Sequence, residues 1–225
     1  MANGLFEKGA ITGIGETAYT RGSGKSDIAL QMEASLKAIA DAGLKPSDID
    51  GVVPYAAGAA VAEDFITNFN LPDLRFSATT PLGGASCVAA IQAAVTAVAV
   101  GLANHVLIPI GRNGYSGGRI GDRVQQMPQF RTIGEFEMPL GTLAPAQLYS
   151  HMARRHMEMY GTKSEHFAKI AMTVRKHAAM NDNALRQGVM TLEDHQNSRM
   201  IADPLRLFDC CLESDGGAAV IVSAS

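Results

Sequence analysis

Between Gly83 and Ile110 the chain reads GGASCVAAIQAAVTAVAVGLANHVLIPI: a glycine turn, a long apolar stretch and an apolar strand in immediate succession. From Cys87 to Ala103 the apolar run is broken only by Gln92, Thr96 and Gly101. It falls short of the roughly 20 residues that a bilayer needs. Ala and Val dominate it, so it predicts a helix buried on all sides within a protein interior, and no membrane span. Such a helix needs apolar cover, which the strand His105 to Ile110 begins to supply.

The residues before it alternate in the same manner. Ala10 to Ile14 reads as a strand, and Gly22-Ser23-Gly24 as a turn. Ser26 then caps a helix whose apolar stripe is Ile28, Met32, Leu36 and Ile39, and Gly43 ends it. Pro46-Ser47-Asp48 makes a second turn, followed by a strand at Gly51 to Pro54, a helix around Val61 to Asn70 and an extended piece at Leu74 to Thr79. This βαβαβαβ rhythm predicts an α/β protein with a parallel sheet and helices on its faces. Gly13 and Gly15 in GIGET lack the third glycine and the helix of a dinucleotide site, so they read as a tight turn after the strand.

From Gly111 to Pro139 the rhythm stops, in a glycine-rich stretch too long for an ordinary connection. Two helical patterns follow, through Leu148, Met152 and Met159, then through Phe167, Ile170, Ala171, Val174 and Ala178, with Thr162 and Glu165 as a capping box for the second. Ser214-Asp215-Gly216-Gly217 reads as a turn and Ala218 to Ser223 as a returning strand. The pattern is one α/β domain interrupted by a helical insertion of roughly a hundred residues, the size of a subdomain.

Composition narrows the function classes. With 225 residues, 47% hydrophobic and 18% charged, the chain is a soluble globular protein able to build a core. A net charge of -3 without a Lys/Arg run excludes a nucleic-acid or anionic-lipid surface, and 6% aromatics without Trp offer no base-stacking platform. Three cysteines, two of them the adjacent Cys210 and Cys211, make no disulfide framework and point to a reducing compartment, with the cytoplasm as default. Met1 to Gly9 does not read as a secretory leader. None of the six histidines falls in a metal-ligand pattern, so no metal is expected and solvated or core-rim positions are.

One local feature carries chemistry. The start of a buried helix at Gly83-Gly84-Ala85-Ser86-Cys87 offers unpaired N–H groups and the positive end of a macrodipole, which favour a thiolate or an anionic intermediate. Cys87 there reads either as a nucleophile or as a small core residue a turn inside the helix, and packing has the edge. Arg112, Arg119 and Arg123 lie in the glycine-rich stretch, where they are solvated or meet phosphates.

Several stretches in order resemble one family. GIGETAY, DAGLKPSDIDGV (41–52) and GGASCVAAIQAAVTAVAVGLANHVLIPIG are similar to the N-terminal half of the thiolase superfamily. HMEMYGTKSEHFAKIA (156–171), RKHAAMN and DPLRLFDCCLESDGGAAVIV resemble the sterol-carrier-protein thiolases and bacterial lipid-transfer-type thiolase-like proteins. The resemblance implies a thiolase-like fold of layered halves with mixed sheets. Residues 1–112 and 204–225 would form the N-terminal half, 113–203 an inserted loop domain that takes part in acyl-CoA binding, and the C-terminal half would be absent.

It further implies a coenzyme A thioester as substrate, no covalently bound cofactor, a homodimer, and in aldolase-type branches an OB-fold, zinc-ribbon partner protein. Aligning Ala90-Ile91 with the family pattern puts Gly84 where the catalytic cysteine of an active thiolase stands, and Cys87 three residues later. Glycine holds no acyl group, so the resemblance favours aldolase-type or other non-thiolytic carbon–carbon chemistry over acyl-cysteine thiolysis. The GHPxG-type histidine and glycine-flanked acid/base cysteine of a second half do not occur. A non-catalytic acyl-CoA-binding or partner-binding subunit is therefore the first alternative, and an acetyl-CoA acetyltransferase using Cys87 the second. Gly83 and Ser86 at the turn, with His177 and Cys211 by position in the family pattern, are the implied CoA-side contacts.

Overall fold

The computed structural model describes residues 7–54, 60–119, 121 and 131–225. Its strands in chain order are β1 (Gly9–Glu16), β2 (Gly51–Val52), β3 (Phe76–Ser77), β4 (His105–Asn113), β5 (Met200–Ala202), β6 (Leu205–Arg206) and β7 (Asp215–Ala224). Its helices are α1 (Asp27–Asp41), α2 (Ala62–Phe69), α3 (Ser86–Ala99), α4 (Pro145–Tyr160), α5 (Ser164–Ala178) and the short α6 (Leu192–Gln196). The chain divides into two compact units, Met1–Gly117 with Ser214–Ser225, and Gly118–Glu213.

The first unit is built on one five-stranded sheet of order β1-β7-β4-β2-β3. β2 is parallel to both β3 and β4, whereas β7 runs antiparallel to β1 on one side and β4 on the other. The sheet is mixed, as the family resemblance implies, where the strand–helix alternation alone predicts a parallel one. The reason lies in β7, which returns after the second unit without a crossover helix of its own and so is free to enter in the opposite direction.

Alternation along the two central strands sorts the core into two layers. Leu107 of β4 and Ala219 and Ile221 of β7 join Ala34, Ala38 and Phe65 on one face. Val106, Ile108 and Val222 join Ala90, Ala94 and Ala97 on the other. β4 also extends beyond the expected Ile110 to Asn113.

α1 begins as expected, with the Ser26 hydroxyl accepting the Ala29 N–H at 3.2 Å. Its buried face differs from the expected apolar stripe: Leu30, Gln31, Ala34, Ser35, Ala38 and Ile39 are buried, while Leu36 is exposed. Small residues face the sheet because the helix lies almost on β1. A Cβ on Gly13 would stand 2.2 Å from the Ala38 carbonyl oxygen, and one on Gly15 2.3 Å from that of Ala34. These glycines are therefore a docking floor inside β1, and not the turn that GIGET suggests.

α3 buries Ser86, Ala90, Ala94, Ala97 and Val98 against the sheet and leaves Val88 72% exposed. It is covered on one face only, which corrects the expectation of burial all round. Beside it, Asp50 orders the sheet: its carboxylate accepts the backbone N–H groups of Asn104 and His105 at 2.8 Å and so sets the start of β4 against β2.

Asp215 is fully buried at the first residue of β7, where the sequence suggests a turn. One carboxylate oxygen accepts the N–H groups of Tyr115 and Ser116, and the other accepts the N–H and hydroxyl of Ser23 and the hydroxyl of Ser116. Burial opposes its ionisation, but the hydrogen bonds from Ser116 and Ser23 outweigh it and hold the carboxyl well below the usual carboxylate range.

In the second unit, α4 and α5 are followed by α6 and the β5–β6 hairpin. α5 starts one residue later than the capping-box reading requires. Lys163 is its N-cap, with its N–H donated to His166 Nδ1 at 3.3 Å, and the Thr162 hydroxyl pairs with His156 Nδ1 at 2.9 Å instead. Among the described residues no helix is long and apolar enough to cross a membrane.

Two stability measurements test this arrangement by chemical denaturation. Gly15→Ala should cost roughly 3 kcal/mol, because backbone and not a flexible side chain must give way. Asp215→Asn should cost about 2–4 kcal/mol near neutral pH, since charge-assisted bonds are lost and an amide NH2 faces donors. A carboxyl whose folded value is depressed stabilises fully above its unfolded value and loses that contribution as pH falls. The cost of D215N should therefore shrink between about pH 5 and pH 2.

Candidate functional site

The glycine turn lies beside a small pocket in the first unit. Thr80 to Ser86 folds back on itself before α3 starts. The Leu82 N–H donates both to the Thr80 carbonyl at 2.8 Å and to the Ser86 hydroxyl at 3.0 Å. The Thr80 hydroxyl donates to the Ser86 carbonyl at 2.9 Å. Ser86 is thereby 2% exposed and acts as the clasp of the turn. Gly83 has φ +60, a left-handed conformation that favours glycine, and Gly83–Ala85 form one tight helical turn leading into α3. Among the described residues the N–H groups of Gly83 and Gly84 have no acceptor, so they are donors available to a ligand.

Behind the turn lies a cavity of about 110 Å³ between the start of α3 and the sheet. Val53, Ile91, Ile108 and Ala219 make its apolar wall, and Thr80, Ser86 and Cys87 its polar side. A cavity of about 150 Å³ holds a benzene, so this one takes a smaller group, such as the short end of an acyl chain.

Gly83, Gly84, Ser86 and Cys87 come together as expected. Cys87 is exposed, in the first turn of α3 at the cavity edge, which corrects the reading of a packed thiol a turn inside the helix. A side chain at Gly84 would meet nothing within 4 Å. The backbone therefore has room for a nucleophile at this position, and the chain does not place one there.

The remaining candidates belong to the second unit or outside the site. His177 is exposed in the last turn of α5, and Cys211 is exposed. Arg119 is held by Glu213 at 2.8 Å. Arg112 belongs to β4 and is half-buried, and Arg123 lies outside the described residues.

The histidine reading missed one residue. His195 is fully buried and pairs its Nε2 with Asp209 Oδ1 at 2.7 Å, where solvated or rim positions were expected for all six. Its neighbours Glu193, Asp194 and Gln196 are polar, so no apolar periodicity marks it in the sequence. Among the described residues no cluster of three or more His, Cys, Asp or Glu is arranged to hold a metal ion.

With turn, donors and cavity in place, similarity to known proteins gives the class. No family model matches the chain. It is 43% identical over 218 residues to a steroid side-chain-cleaving aldolase of Thermomonospora curvata, covering 95% of this chain and 56% of that one. It is 38% identical over 226 residues to a 17-hydroxy-3-oxo-4-pregnene-20-carboxyl-CoA lyase of Mycobacterium tuberculosis, covering 98% and 58%. Among solved structures it superposes on an Ltp2-ChsH2(DUF35) aldolase with a TM-score of 0.88 and 42% identity, over 98% of this chain and 56% of that one. The fold also matches a monomeric SCP2-thiolase like protein of Mycobacterium smegmatis, with a TM-score of 0.73 at 18% identity, over 100% and 47%.

The chain is thus similar over nearly its whole length to a steroid side-chain-cleaving aldolase and an acyl-CoA lyase, and it shares its fold with an SCP2-thiolase like protein. It spans little more than half the length of the curated relatives it matches.

The turn geometry predicts opposite outcomes for adjacent glycines. Gly83→Ala should destabilise the chain by about 1 kcal/mol through its left-handed backbone. Gly84→Ala should leave the denaturation midpoint within error, because open space surrounds the added methyl.

Proposed function

We propose that this chain is the acyl-CoA-side portion of a thiolase-like aldolase that breaks a carbon–carbon bond in a β-hydroxyacyl-CoA, with a steroid side chain as the substrate class. The observation that carries this reading is Gly84: a sterically open position at the start of α3 that holds no nucleophile. An acyl-cysteine route has no attachment point there. Retro-aldol cleavage needs none.

In that reaction a base takes the β-hydroxyl proton, the Cα–Cβ bond breaks, a ketone forms at Cβ, and the electron pair moves onto the thioester as an enolate. The enolate then takes a proton at Cα and leaves as a shorter acyl-CoA. This chain's part is to receive the negative charge that develops on the thioester oxygen. The Gly83 and Gly84 amides at a helix start suit that task, because fixed donors cost no reorganisation when the charge appears. Ser86 keeps the turn in place, and the small apolar cavity takes the short acyl end.

The same reading assigns the second unit as the loop domain, roughly 113–203, with His177 and Cys211 as CoA-side contacts. It makes the protein a cytoplasmic homodimer with no cofactor besides the thioester. Its companion would be an OB-fold, zinc-ribbon protein, as the Ltp2 aldolase was solved with ChsH2(DUF35). A non-catalytic acyl-CoA-binding or partner-binding subunit is the second reading, favoured by the open outer face of α3, where Val88 and Val100 are exposed.

Intact-mass measurement after incubation with acetoacetyl-CoA tests the chemistry. No acyl-protein should form. An adduct that disappears in Cys87→Ala would replace the aldolase reading with an acetyltransferase that uses Cys87. Release of a short acyl-CoA from a β-hydroxy steroid acyl-CoA, with a DUF35-type partner present, supports turnover. Binding of the thioester without release supports the second reading.

A further inference from the structure

The second unit contains a closed circuit of hydrogen bonds that the proposed chemistry does not use. His195 Nε2 meets Asp209 Oδ1 at 2.7 Å. The other carboxylate oxygen of Asp209 accepts the Arg206 N–H at 2.8 Å. The Arg206 guanidinium donates to the Ser198 carbonyl at 2.9 Å, and the Ser198 hydroxyl donates back to the His195 carbonyl at 2.7 Å. A backbone bond from the Leu207 N–H to the Arg199 carbonyl at 2.8 Å closes the gap between the two segments. His195 is 0% exposed and the Asp209 side chain 5%. His195 Nδ1 is buried without a partner among the described residues, so the ring proton is best placed on Nε2, directed at Asp209.

Burying an imidazole with one orphaned nitrogen costs stability, and an apolar pair in place of both His195 and Asp209 would fill the space without that cost. What the pair supplies is direction. Asp209 ends the tight turn Leu207–Asp209, and the next two residues are the adjacent thiols Cys210 and Cys211. Cys210 is extended, with φ -104 and ψ 140, where the chain leaves the tight turn. Cys210 is half-buried and Cys211 exposed. Burial, reinforced by the Asp209 charge and by Cys211, raises the Cys210 thiol above its ordinary value.

We infer that His195 and Asp209 are positioning residues for the thiol pair: they lock the 206–211 segment so that Cys211 is presented and Cys210 is shielded. This rests on the proposed function only in taking Cys211 as a CoA-side contact. The circuit itself stands apart from that role.

Labelling the intact chain with N-ethylmaleimide and locating the adducts by peptide mass spectrometry tests the inference. In the wild type Cys211 and the exposed Cys87 should label fast and Cys210 slowly. His195→Phe keeps the bulk and removes the donor, and should speed Cys210 labelling roughly tenfold with Cys87 unchanged. His195→Gln, whose amide reaches the place of Nε2, should restore the slow rate. An unchanged ratio of Cys210 to Cys211 in H195F, or a parallel rise at Cys87, would overturn the inference. Should H195F fail to fold, hydrogen exchange of the wild type decides. The Arg206 and Leu207 amides must then be protected, and exchange at the free-peptide rate beside a protected Asn197 amide sinks the idea. Adding coenzyme A is a separate arm: failure to slow Cys211 labelling counts against the CoA contact alone, since the positioning effect is read without it.

Discussion

The first unit depends on the insertion of β7 between β1 and β4. Without it β1 has no partner in the sheet, β4 becomes an edge strand, and the two core layers lose Ala219, Ile221 and Val222. This strand is supplied from the far side of the second unit, so the sheet closes only through pairings of long sequence separation, which are entropically slow to form. Asp215 makes the arrival worthwhile. Its buried carboxylate accepts donors from the loop before α1 and the loop after β4, tying both to the first residue of β7.

The cavity at the start of α3 follows from that closure. β4 and β7 form the floor of the small cavity, and the α3 start forms its rim. The Thr80–Ser86 bonds then turn a flexible glycine pair into a fixed pair of donors. A site of this kind offers backbone donors to charge that develops on an oxygen, with no side chain at Gly84.

Much of this was legible in the residues. Strand–helix alternation, the Ser26 cap, the insertion and the glycine turn before α3 all appear as local signals. Mixed strand direction did not, because nothing within Ala218 to Ser223 says which way the strand enters. Gly13 and Gly15 looked like a turn because close approach to α1 is a tertiary fact: the signal lies in pairing them with Ala34 and Ala38, some twenty residues away. Asp215 hid in a turn-like SDGG, and His195 in a polar helix, because a buried polar residue is recognisable only from its partners. The open face of α3 was misread for the converse reason: Ala and Val spacing shows that a helix can be buried, not how many sides find cover.

Asp215 also joins the two places where the chain leaves and re-enters the first unit. Its carboxylate binds Tyr115 and Ser116, and the Ser214 carbonyl oxygen would stand 3.0 Å from a Cβ on Gly114. The doorway to the second unit is thus pinned shut at its base. A segment hung from such a doorway can be lengthened, shortened or exchanged at a closure cost that grows only slowly with length. The sheet would be left threaded as before, and the inserted segment would be the part of the molecule most free to change.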